Sequence, residues 1–332
     1  GGASAQVAAP AGYSQPASRV TLSNARLHGS VVPNGATTFA WFEWGTNASF
    51  SQTTVATNVG AGTALIYLNQ PVAGLLPHQE YRYRLVSSNA QGVVRGRVIQ
   101  FATGFEISGW GTDYDGEIAK SHAITNVTAL AHGLALKTDG TIAAWAGTDY
   151  HGQTNVPPGL SNVLGIATTS GFSLAVRSNG MVVAWGTPVN EAGQTNVPAG
   201  LSNVVAITAS PSHSFALKAD GRAVGWGDNR FGQANVPNIA TNLIQICAGG
   251  YSSMALRADQ TLILWGDSIY GQFNAPANMT NVVAIAMGYG HSLALQADGK
   301  VHAWGWNSDG QTNVPPDVTN AIAIAAGFSE SF

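Results

Sequence analysis

The chain has 332 residues, room for two ordinary domains of ~150 residues each. Its formal net charge of −3 leaves no basic field for nucleic acid, and no apolar run approaches the ~20 residues of a membrane-spanning helix. Only 9 % of residues are charged, but 45 % hydrophobic content with nine Trp supplies a packed core rather than a disordered chain.

The opening GGASAQVAAPAGYSQPAS is small and polar, with neither a helical nor a strand period. Residues 1–17 are therefore expected to be a linker or the remnant of an export signal. Ala3-Ser4-Ala5 has the small-x-small form cut by signal peptidases, and such tripeptides also occur in Ala-rich linkers.

From 18 to 104 the pattern alternates in short runs: VTLSNARLHGSVV, TTFAWFEWG, ALIYLNQPVAGL, EYRYRLVSSN and VVRGRVIQFAT, with PNGA and NAQG as turns. Such spacing predicts an all-β sandwich. Trp41 and Trp44 are expected in the core or on a strand face. In GLLPHQEYRYRLVSSNAQG, Leu75 and Pro77 lead to Tyr81 and Tyr83. This segment resembles the late-strand signature of fibronectin type III domains. The resemblance implies an Ig-like sandwich with Tyr81 at a tyrosine corner, its phenol bonded to nearby backbone, and a spacing or tethering role.

From 105 to 332 the chain repeats. Tryptophans stand at Trp110, Trp145, Trp185, Trp226, Trp265 and Trp304, 35 to 41 residues apart. Each unit carries an apolar run such as NVVAIAMG, then HSLALQADG with an Asp-Gly turn, then a Trp-bearing run such as KVHAWGW, then a loop of the form GQTNVP. Asp-Gly is a hairpin signal because Gly readily takes positive φ. Short consecutive strands at this period predict β-propeller blades. Leucine-rich and helical repeats lack their patterns here. WD repeats expect Trp-Asp, whereas five anchors read Trp-Gly and the other is Trp145-Ala146. The units are similar to the regulator of chromosome condensation repeats, especially their compact bacterial form, which includes an inhibitor of beta-lactamase.

In GQTNVP, Gly permits a turn, Asn holds local backbone bonds and Pro stops extension, so the motif is expected to be a folding element. Gln153, Gln194, Gln233, Gln272 and Gln311 are not expected to bind ligand directly. Five units are complete. Phe105–Gly111 would supply a third strand and Asn320–Phe332 a first and part of a second, joining as a composite blade. That makes about six blades, where the resembling family commonly has seven. Glu330 falls at the His291 position and Phe332 at the Leu293 position, so the sequence stops mid-strand. Either the chain continues, or Ala321, Ile322, Ala323, Ile324, Phe328 and Phe332 form an edge completed by another chain.

No His-Glu-x-x-His, Cys-x-x-Cys, phosphate loop or nucleophile elbow is present. No catalytic residue, metal or cofactor is expected. His132, His213 and His291 share one repeat position with Phe172 and Ser252, which points to scaffold rather than a metal ring. Within DYDGE, which carries Asp113, Asp115 and Glu117, two carboxylates have calcium-like spacing without the rest of a cation loop. The lone Cys247, in LIQICAGG, is expected to be a buried thiol.

The loops after each Trp vary most. They carry Tyr114, Tyr150, His151, Asn229, Arg230, Phe231, Tyr270 and Trp306, residue types that anchor interfaces. The expected function is a non-enzymatic, exported binding or structural protein, extracellular or on a bacterial cell surface. Its partner would be a protein or glycan, or further copies in an assembly. The alternatives are an inhibitor of a secreted enzyme and a carbohydrate-active enzyme using a rim carboxylate.

Overall fold

The computed structural model describes residues 7–18, 20–21, 23–77, 79–103, 124, 126–145, 149–187, 192–277 and 279–332. Among them every regular element is a β-strand, and no helix is long and apolar enough to cross a membrane. Two compact units divide the chain: Gly1–Asp149 with Val156–Ile166, and Tyr150–Asn155 with Ala167–Phe332.

In the first unit, β1 (Ala11–Ser18), β2 (Asn24–Val32) and β6 (Ile66–Ala73) form one sheet in the order β1-β2-β6. A second sheet centres on β3 (Thr38–Gly45) and β7 (Glu80–Asn89). Its other strands are β4 (Gln52–Thr53), β5 (Thr57–Gly60), β8 (Gly92–Arg95) and β9 (Ile99–Ala102). Leu27 and Val31 of β2, Phe42 of β3, Leu68 and Val72 of β6, and Tyr81, Tyr83 and Leu85 of β7 share one core. The Tyr81 ring stacks on Phe101 at 5.5 Å, and its hydroxyl accepts the Leu76 amide at 2.7 Å. That is the backbone bond expected of this phenol.

One expectation is corrected here. The stretch taken as a linker over 1–17 contains β1, which runs along β2 from Ala11↔Val32 to Ser18↔Arg26. It shows no hydrophobic period because the residues it turns inward are small. Ser14 accepts the Leu85 amide through Oγ at 2.9 Å, and a Cβ on Gly12 would meet Ser87 Oγ at 2.7 Å.

Five three-stranded sheets follow in chain order. They are β10 (Val127–Ala131), β11 (Leu134–Lys137) and β12 (Ile142–Ala144); then β13 (Val163–Thr168), β14 (Phe172–Arg177) and β15 (Val182–Gly186). Next come β16 (Val204–Ala209), β17 (His213–Lys218) and β18 (Ala223–Gly227). The last two are β19 (Leu243–Ala248), β20 (Ser252–Arg257) and β21 (Leu262–Gly266), and β22 (Val282–Met287), β23 (His291–Gln296) and β24 (Val301–Gly305). The middle strands β14, β17, β20 and β23 are buried along five consecutive residues, so both of their faces are covered rather than one facing solvent.

Backbone geometry repeats with the sequence. Asn126, Asn162, Asn203, Asn242, Asn281 and Asn320 all take φ between 55° and 61°, one residue before each apolar run. Asn tolerates this left-handed region better than other non-glycine residues. The glycine of Trp-Gly is required: at Gly186, Gly227, Gly266 and Gly305 φ is 92° to 103°, and a Cβ would fall 2.6–2.9 Å from a backbone carbonyl oxygen.

Neighbouring sheets in the second unit share cores. Phe215 and Leu217 of β17 pack with Leu243, Ile246, Ile263 and Trp265 of the next sheet. Cys247, Met254 and Leu256 pack with Val282, Ile285, Met287 and Trp304. Cys247 is a buried thiol, as expected, and burial raises its pKa.

The recurring loop has a defined task. The carbonyls of Gln153, Gln194, Gln233 and Gln272 each accept the indole N–H of the next tryptophan: Trp185, Trp226, Trp265 and Trp304, at 2.7–2.8 Å. The same carbonyls accept Oγ–H of Ser173, Ser214, Ser253 and Ser292 at 2.7–3.2 Å. The motif is thus a clasp between successive sheets. In the last segment, Ser331 Oγ donates to the Gln311 carbonyl at 2.7 Å. Ala325 and Phe332 exchange two backbone bonds of 2.9 Å. Of the expected assembly edge, Ala321–Ile324 form no strand, Ile322, Phe328 and Phe332 are exposed, and Ala321 N donates to the Gly299 carbonyl. The partner strand expected at Phe105–Gly111 lies outside the described residues.

Candidate functional site: an aromatic strip on the last three repeats

Four of the loops that follow a tryptophan are pinned by the side chain of the clasp glutamine. Its Oε1 accepts the amide of His151 (Gln153), Phe231 (Gln233), Tyr270 (Gln272) and Asp309 (Gln311), at 2.9–3.2 Å. Asn229 Oδ1 accepts the Ala234 amide and Asn307 Oδ1 the Thr312 amide, bracing the same turns. Asn229, expected as a contact residue, therefore has its carbonyl oxygen committed to the loop.

These loops, and the turns between the first two strands of each unit, carry six aromatic rings in continuous contact. Phe231 lies 5.3 Å from Tyr251, Tyr251 6.0 Å from Tyr289, and Tyr289 stacks on Phe328 at 4.5 Å. Tyr270 stacks on Trp306 at 5.3 Å, and both reach Tyr289 at 6.5 and 6.3 Å. Trp306 meets Phe328 edge-on at 6.3 Å. Phe231, Tyr270 and Phe328 are 51 %, 39 % and 60 % exposed.

One end of the strip is held by charge. Asp228, almost fully buried, accepts Arg230 Nε at 3.0 Å on both oxygens and Nη2 at 2.7 Å on Oδ2. Hydrogen bonding to Arg230 holds the Asp228 carboxyl below its usual range. The guanidinium sits 5.9 Å above the Tyr251 ring, a cation–π distance. The Tyr289 phenol is raised above its usual range by burial, and further by the nearby phenols of Tyr251 and Tyr270.

Two of the three histidines at the shared repeat position are committed to structure. His213 is fully buried: Nδ1 faces Ser212 Oγ at 2.7 Å and Ser210 Oγ at 3.0 Å, and Nε2 donates to Ser253 Oγ at 2.8 Å. Burial lowers its pKa to about 3, so it is neutral. His291 is likewise buried, with Nε2 3.1 Å from Ser331 Oγ. His132, at the equivalent sequence position, is exposed. Among the described residues no three His, Cys, Asp or Glu side chains converge on a metal position.

Arg230, Phe231, Tyr270, Trp306 and Phe328 are brought together as one surface. Tyr150, 86 % exposed, and His151 stand on the Gln153 loop, apart from these ring contacts. Tyr114, Asp113, Asp115 and Glu117 lie outside the described residues. Tyr251 and Tyr289 were not expected. They lie in AGGYSS and MGYGHS, in turns that hold Ser170-Gly171 and Pro211-Ser212 in the two preceding units.

Residues 204–233 and 282–311 match the Regulator of chromosome condensation (RCC1) repeat. The fold is similar to that of Prp20p from Saccharomyces cerevisiae, at 17 % identity and TM-score 0.53, covering 90 % of each chain. It is also similar to the ectodomain of the receptor kinase CR4 from Physcomitrella patens, at 19 % identity and TM-score 0.52. That match covers 74 % of this chain and spans 65 % of the ectodomain. No curated protein matches the sequence. With the repeating three-stranded sheets, these likenesses define an RCC1-like β-propeller fold.

Proposed function

We propose that this RCC1-like β-propeller protein is a non-enzymatic binding module that presents the strip around Tyr289 to a macromolecular partner. The carrying observation is the continuous set of six rings, three of them well exposed, on loops that glutamine side chains hold rigid. Aromatic residues and Arg dominate binding energy where they are pre-positioned, because little side-chain entropy remains to be lost. Prp20p, a relative in fold, has binding properties towards Gsp1p and histones. A non-catalytic role is supported by His213 and Asp228, whose polar atoms are engaged by Ser and Arg neighbours inside the fold.

The same proposal treats residues 18–104 as a fibronectin type III-type spacer, supported by the core that its two sheets share and by the Tyr81–Leu76 bond. It places the protein outside the cell, in keeping with its low charge and Asn/Thr-rich, disulfide-free sequence. Cell fractionation that recovered the mature chain only from cytosol would remove that part.

The test compares what co-purifies from the native source with the wild-type chain and with a Phe231→Ser/Tyr270→Ser/Phe328→Ser variant. Near-UV dichroism serves as the check that both are folded. The expected result is a partner retained by the wild type and lost by the variant. Equal retention by both would overturn the assignment of the strip as the contact surface.

A further inference from the structure

We infer that the strip binds a neutral polysaccharide chain; this rests on the binding-module reading above and names its partner class. A pyranose offers two kinds of surface, an apolar face of C–H groups and a rim of hydroxyls that both donate and accept. The strip matches both. Its rings run without a break from Phe231 through Tyr251 and Tyr289 to Phe328, flanked by the stacked pair Tyr270–Trp306. Aromatic faces carry negative charge density that attracts the polarised C–H groups of a sugar face. Tyr251, Tyr270 and Tyr289, whose rings are in contact, each bring to the strip a phenol hydroxyl able to donate and accept.

Charge decides between ligand classes. Arg230 is the cation that contacts these rings, and Asp228 already neutralises it through a two-pronged pair. A nucleic acid would need several free cations to replace its counterions. The carboxylates of Asp267, Asp309 and Glu330 on the neighbouring loops would repel an acidic protein or an anionic polysaccharide. The same loops add Ser268 and Ser329, whose hydroxyls, with these carboxylates, are groups of the kind that bond sugar hydroxyls. Arg230 extends a donor fork into solvent while buried Asp228 balances its charge. A polyol chain is the partner that uses every one of these features.

Affinity electrophoresis of the full chain tests this, in native gels containing hydroxyethyl cellulose, β-glucan, galactomannan or dextran, with polygalacturonate as the acidic control. Retardation in at least one neutral gel is expected. Tyr270→Ala and Phe328→Ala, both at exposed rings, should each weaken association roughly 2- to 10-fold, the contribution of one aromatic stacking contact. Arg230→Lys, which breaks the fork but keeps the charge, should weaken it as well. Migration unchanged in every neutral gel overturns the inference, as does retardation that the strip variants leave intact or that appears only with polygalacturonate. If the gels are negative while the triple variant still loses a co-purified protein, the polysaccharide fails and the contact surface stands. Should that variant also keep its partner, both fail.

Discussion

Gly227 and Gln260 set opposite limits on single-residue change. At Gly227, φ is 102° and a Cβ would stand 2.9 Å from the Ser212 carbonyl oxygen and from His213 Cα. Gly227→Ala is expected to cost about 2–3 kcal/mol of stability in a urea titration, the scale of backbone strain with no route to relax. Gln260 holds the turn position that Gly140, Gly180, Gly221 and Gly299 hold elsewhere, at φ 70°. Gln260→Gly relieves that strain and should raise stability by up to about 1 kcal/mol, part of the gain being lost to a more flexible unfolded chain.

His213 gives the same scale a pH dependence. Folded, its pKa is lowered to about 3 by burial; unfolded, it returns to the ordinary 6.5. The unfolded chain therefore binds the extra proton first. Stability supplied by the neutral imidazole is complete above about pH 6.5 and drains away as pH falls towards 3, with a slope of up to ~1.4 kcal/mol per pH unit. Phe172 fills the equivalent position in β14 without a charge to lose. His213→Phe should flatten the acid limb of a stability–pH curve; an unchanged limb would show that other groups dominate it.

At the level of elements, the unit of construction is a sheet clasped to the next. Trp265 Nε1 and Ser253 Oγ both donate to the Gln233 carbonyl, and Ser253 also receives His213 Nε2. Trp265→Phe removes one donor and should cost about 1–2 kcal/mol. Ser253→Ala removes a donor and strands the buried imidazole. The double variant leaves the carbonyl without either donor, so a double-mutant cycle should show coupling rather than additive losses.

Most of these elements were legible in the sequence. Tryptophan spacing, Asp-Gly turns and GQTNVP each occupy one place in every unit, and periodic backbone demands leave periodic residues. What could not be seen has two physical causes. β1 turns Gly12 and Ser14 inward, small residues that fit under Leu85 and Ser87 and leave no hydrophobic alternation. Tyr251 and Tyr289 depart from the repeat at turns that elsewhere hold small residues or proline, and only their three-dimensional neighbours make the departure informative. The glutamines serve the fold through their backbone carbonyls. That the clasp uses their main-chain oxygen, while the side chain pins the preceding loop, follows only from geometry.

Across the second unit, cores lie between sheets, so no sheet is stable by itself. Leu243 is fully buried and packs against Phe215 of the preceding sheet as well as Ile246 of its own. Leu243→Ala should cost about 2–5 kcal/mol. Hydrogen exchange should speed up in β16–β18 as well as β19–β21. Faster exchange confined to β19–β21 would argue against the shared core.

The distance from each clasp glutamine to its next serine and tryptophan never changes, at 20 and 32 residues. The interval from a tryptophan to the following glutamine does change, with Gln153, Gln194 and Gln233 standing eight, nine and seven residues after Trp145, Trp185 and Trp226. Each blade thus separates a fixed chassis from an exchangeable insert. Evolution, or a designer, can rewrite the insert for a new partner while the machinery that counts one repeat to the next keeps its place.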